Sequence, residues 1–130
     1  MPSNLFGAKS TNKAGTGPAP QIYTVTPILQ GGILTGAAIA GGVCRVVTAD
    51  GDSTNPTATA ANIITALKLN QGDTFQFTCV PNNVANTIQV SAGSGVTLAA
   101  GQLNVTVAGT SITYSGLVTG ADAITLTRTA

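Results

Sequence analysis

Catalysis and metal binding need side chains that ionise, attack or coordinate, and this 130-residue chain offers few of them. It has no His and no Glu, so neither a Ser-His nor a Cys-His nucleophile can be assembled. A zinc site could draw only on Cys44, Cys79 and the four aspartates. Asp50 and Asp52, within ADGDSTNP, form the one close carboxylate pair. They look superficially like the start of a calcium loop, but the EF-hand pattern requires a later Gly and a bidentate Glu at fixed positions. Backbone-bonding turn residues are the expected role for this pair, and for Asp73 and Asp122. Gly93-Ser94-Gly95 has Leu98 where a dinucleotide fingerprint would carry its third glycine, and a strand pattern follows it, so it reads as a turn. Asn104-Val105-Thr106 matches a glycosylation sequon, yet it lies inside a strand pattern and reads as coincidental. The residues therefore argue against an enzyme and imply no cofactor and no metal.

The bulk composition points the same way. Only 7% of residues are charged, against about 25% in ordinary soluble domains, while 43% are hydrophobic and 4% aromatic. Solubility must come from Thr, Ser, Asn and Gln, and the abundance of Gly, Ala, Val and Thr suits short strands joined by tight turns. A net charge of +1 creates no field to hold nucleic acid or an anionic membrane. The glycine-punctuated apolar stretch at 28–44 falls short of the roughly 20 residues a spanning helix requires. Residues 1–20, MPSNLFGAKSTNKAGTGPAP, contain no apolar h-region, so synthesis and folding in a cytoplasm are expected. Cys44 and Cys79 are too few for a disulfide framework and read as buried thiols, Cys79 on the same face as Phe75 and Phe77.

These residues must be positioned by a mainly β fold, a small antiparallel sandwich or barrel with one short helix and an extended N-terminal arm. The pivot is residues 57–80, TATAANIITALKLNQGDTFQFTCV. Ala60, Ile63, Ile64 and Leu67 fall at i, i+3, i+4 and i+7, one apolar stripe of a helix that Thr57 or Thr59 can cap. After Gln71-Gly72-Asp73 the period changes to two, with Phe75, Phe77 and Cys79 on the dry face of a strand. Residues 1–20 form an arm, rich in Gly, Ser, Pro and Asn, and 21–130 a single β-rich domain. The arm reads as disorder in an isolated monomer, or as a segment that orders against a neighbouring subunit with Leu5 and Phe6 as its apolar anchor. Lys9 and Lys13 on it read as solvated charge that could meet a negative surface.

Within the domain, residues 21–26 suggest a short edge strand halted by Pro27, and the glycines of ILQGGILTGAAIA at 28–40 discourage a helix. Residues 43–48 read as a strand with Cys44, Val46 and Thr48 on one side, and 49–56 as a loop. Strands are expected at 86–91, 96–98, 111–118 with a break at Gly116, and around Ile124 and Leu126. The cleanest strand is expected at 102–107, where Leu103, Val105 and Val107 alternate with Gln102, Asn104 and Thr106.

From residue 57 to the end, the succession TAANIITALKLNQGDTFQFTC, ANTIQVSAGSGVTL, VAGTSITYSGL and ADAITLTR resembles a module of structural proteins of tailed bacteriophages, cyanophages included. It is similar to capsid decoration, or cement, proteins and to head or tail fibre domains. The resemblance implies a β-rich homotrimer, made in the host cytoplasm, that clamps the exterior of an icosahedral virion shell and staples neighbouring major capsid subunits. The arm would reach over the major capsid protein, with Leu5, Phe6, Lys9 and Lys13 as candidate contacts to the shell or to another subunit. The alternative it leaves open is a fibre module that binds a host surface receptor.

Overall fold

A computed structural model of the chain describes residues 22–130. The domain is mainly β, and its main layer is a six-stranded sheet. Six strands build this layer: β1 (Thr24–Ile28), β2 (Gly42–Val46), β4 (Thr74–Pro81), β6 (Val96–Leu98), β7 (Ile112–Gly120) and β8 (Ala123–Arg128). They lie in the order β6-β8-β7-β4-β2-β1. A second layer pairs β3 (Ser53–Pro56) with β5 (Ile88–Ser91), and single bridges add Leu34 beside Thr57 and Val105 beside Gln89. Two helices, α1 (Gly36–Gly41) and α2 (Ala60–Leu67), complete the layer that covers the main sheet.

The pivot forms as its periods dictate. Thr59 is the N-cap of α2, its hydroxyl accepting from the Asn62 N–H at 3.2 Å, and Ala60, Ile63 and Leu67 are buried. Phe75, Phe77 and Cys79 then line the inner face of β4. The Phe77 ring stacks on Tyr114 of β7 at 5.6 Å between centroids, and on Phe75 at 6.3 Å. Ile112, Ile124, Leu126, Ile88 and Val90 extend the same core.

Several local expectations are corrected. The strands are not uniformly antiparallel: β1, β2 and β4 run parallel, as do β6 with β8 and β3 with β5. Parallel neighbours need crossovers, and α1 supplies the one between β1 and β2. That helix sits where glycines argued against one. A Cβ on Gly36 would lie 2.8 Å from the Asn62 carbonyl oxygen of α2, and one on Gly41 equally close to the Thr24 carbonyl oxygen. The glycines therefore permit close approach, and tertiary packing outweighs their poor helix propensity. Pro27 lies inside β1, on the outermost strand, where a missing N–H is tolerated. Residues 53–56 form a strand because they pair with β5. Gly116 does not break β7: it pairs with Phe75 of β4, whose ring occupies the space a Cβ would fill. Among the described residues no helix is long and apolar enough to cross a membrane.

Candidate interaction surfaces

Of the four aspartates, Asp52 and Asp73 have side chains bonded to the backbone within the fold. Asp52 accepts the Thr87 N–H at Oδ1 (2.8 Å) and the Gln30 amide at its carbonyl (3.1 Å), which ties the loop before β3 to the residue before β5. Asp73 Oδ2 accepts the Asn70 N–H at 2.8 Å and shapes the turn into β4. Among the described residues no cluster of three or more His, Cys, Asp or Glu side chains could hold a metal ion. At the start of α2, where an anion would bind, the Ser94 carbonyl accepts the Ala60 N–H at 2.9 Å. Gly93 is pressed so closely on the carbonyls of Thr57 and Ala58 that a Cβ would collide with both. The Asn104 amide oxygen accepts from the Tyr114 hydroxyl (2.8 Å) and from Gln102 (2.9 Å).

Cys44 and Cys79 face one another across the parallel pair β2 and β4, both free and buried. The hydrogen bond to Cys44, and then burial, hold the Cys79 thiol well above its ordinary range, which disfavours the reactive thiolate. Burial also pushes the Tyr114 phenol up, aided by Cys79 and opposed by Arg128. Leu5, Phe6, Lys9 and Lys13 lie outside the described residues.

The fold leaves two groups of large apolar side chains exposed. The strand expected at 102–107 does not form beyond a single bridge of Val105 to Gln89, and the polar side of its alternation faces inward. Thr106 is buried, its hydroxyl accepting the Ile88 N–H at 2.9 Å, and the Asn104 carbonyl accepts the Val90 N–H at 2.8 Å. Leu103 and Val107 are consequently about three-quarters exposed (74% and 75%), with Val105 between them at 39%. Val84, 81% exposed, packs its backbone against Gly109 in the turn that follows. Arg128 donates through Nη1 to the carbonyls of Leu103 (2.9 Å) and Val105 (3.0 Å), so this edge has lost much of its capacity for strand pairing. The apolar side chains remain exposed while the backbone is capped.

At the other end of the sheet order, β1 exposes Val25, with Ile22, Tyr23, Leu29 and Ile33 exposed on its flanks. Beside it, Tyr23, Gly42, Val43, Gln76, Phe77, Thr78 and Val80 line a half-open cleft of about 290 Å³. Sequence reasoning missed both surfaces. The spacing of Leu103, Val105 and Val107 put them on one face, and nothing local marked that face as the outer one. The chain matches no protein-family model, no curated protein and no solved structure.

Proposed function

We propose that the chain is a virion structural protein, a capsid decoration (cement) protein that binds the outside of an icosahedral shell as a homotrimer and staples adjacent major capsid subunits. The observation that carries this reading is the pair of exposed apolar flanks, Leu103, Val105 and Val107 on one side and Ile22, Tyr23 and Val25 on the other. Flanks at opposite ends of the domain let one copy contact two neighbours at once, as a staple must. Rings of identical subunits arise from such heterologous contacts when the rotation closes. The mechanism is burial of added surface between capsomers, with no covalent step. The resemblance of the chain from residue 57 onward to phage decoration modules supports the same reading.

Purified protein added to expanded empty capsids should bind at a saturating stoichiometry and raise their rupture temperature. Leu103→Lys combined with Val107→Lys, or deletion of residues 1–20, should weaken that binding. A stable monomer in solution at micromolar concentration would exclude the trimer. Absence of capsid binding together with adsorption to host cells would replace this reading with a receptor-binding fibre module.

A further inference from the structure

Cys44 and Cys79 are the only cysteines of the chain, and the fold brings them together although they stand 79 − 44 = 35 positions apart in sequence. We propose that they form a latent disulfide site: in oxidising surroundings an oxidant of the peroxide class joins them into one covalent bond across β2 and β4, inside the folded domain.

The two residues are register partners on neighbouring parallel strands. Such strands lie about 4.8 Å apart, within the roughly 4.4–6.8 Å that a disulfide spans between Cα atoms, so the bond closes without separating them. Both side chains are on the buried face of the sheet, and the Cys79 thiol is already hydrogen-bonded to Cys44. In the row that crosses the sheet, Thr26 of β1 stands next to Cys44 and Ile112 of β7 next to Cys79, so each sulfur has only the other as a sulfur partner. Both cysteines are fully buried, which keeps the thiol of a second molecule away and directs oxidation to a bond within one chain.

The position also gives the bond a consequence. Here the parallel part of the main sheet, β1 and β2, joins the antiparallel part, β4, β7 and β8. A cross-link at this seam closes a loop that contains β3 and α2, and it restricts the unfolded chain more than the folded one. The pair stays as thiols where the surroundings are reducing and closes where they are not. The inference is independent of shell binding.

The chemistry balances with hydrogen peroxide as the oxidant. One thiolate attacks a peroxide oxygen and breaks the O–O bond, becoming a sulfenic acid while the departing hydroxide takes up the thiol proton as water. The second sulfur displaces hydroxide from the sulfenic sulfur, forming the S–S bond and breaking S–O, and its proton leaves in a second water. Two thiols and one peroxide thus give one disulfide and two waters. Burial disfavours the thiolate, so the conversion is slow.

The full-length reduced protein, incubated with hydrogen peroxide, should lose the mass of two hydrogen atoms and all titratable thiol. Trypsin should then leave the peptide ending at Arg45 linked to the one beginning at Leu69, and dithiothreitol should reverse the link. The oxidised protein should keep its circular-dichroism spectrum and melt roughly 10 °C higher. Cys44→Ala should show neither the link nor the rise in melting temperature, and the measurements on the unsubstituted protein stand whether or not this variant folds. Thiols that survive a treatment sufficient to oxidise the urea-unfolded chain would overturn the proposal. So would oxygen adducts on two separate sulfurs, disulfide-linked dimers, or a linked monomer that melts no higher than the reduced one.

Discussion

Buried polar residues in this domain are tied into specific partners, and that decides what they can do. Asn55 is fully buried, yet its amide donates to the Gly32 carbonyl at 2.7 Å and its oxygen accepts from Ser53 Oγ at 2.6 Å. Ser53 Oγ in turn accepts the Gly31 N–H at 2.9 Å, so two side chains fasten the turn after β1 to the second layer. Tyr114 and Cys79 behave alike in one respect: both have ionisations raised by the folded state. The native state then holds protons that the unfolded chain releases, so stability is fully present below the unfolded values and lost as pH rises. The loss should begin near pH 8.5, the unfolded thiol range, and steepen above about 10, where the unfolded phenol ionises. Melting temperatures measured across alkaline pH should fall accordingly, and Tyr114→Phe should flatten the segment above pH 10. A profile identical to that of the parent would refute the role of the phenol.

At the scale of elements, helix contact outweighs helix propensity. Gly36 begins α1 against the backbone of α2, with a carbonyl oxygen 2.8 Å and the Ala66 methyl 3.1 Å from where a Cβ would stand. Alanine is the better helix former by up to about 1 kcal/mol, so an isolated α1 would gain from Gly36→Ala. In the folded protein the same change should destabilise by about 1–3 kcal/mol, the usual cost of overpacking a closed contact. Urea denaturation decides between the two signs. The edges of the sheets are managed in a comparable way. Pro27 on β1 and the Arg128 guanidinium beside Leu103 and Val105 both blunt strand pairing. Contacts through these edges therefore run through side chains.

For the whole molecule, the scarcity of charge governs how it can associate. Three cations (Arg45, Lys68, Arg128) and four aspartates are spread over residues 22–130, a difference of 3 − 4 = −1, so no face carries a strong field. Association through Leu103, Val107 and the β1 flank should change little between low and high salt, because screening acts on charges and these contacts have few. Sedimentation or shell-binding titrations across ionic strength check this. A steep loss of binding with added salt would point instead to the arm lysines as the main contact.

Where one period and one local partner suffice, structure follows from the chain itself. Helix α2 with its Thr59 cap, the dry face of β4, and strands β5 and β8 are all legible in this way. So is the lack of any His or Glu for catalysis. Tertiary structure alone decided the parallel pairing of β1, β2 and β4, the existence of α1, and the meeting of Cys44 with Cys79. It also decided that Leu103, Val105 and Val107 face outward. The physical reason is common to all four. Alternation shows which side chains share a face, but which face is covered depends on elements distant in the chain. At 102–107 the Ile88 and Val90 backbone groups bind Asn104 and Thr106, and that pairing turns the aliphatic side chains to the surface.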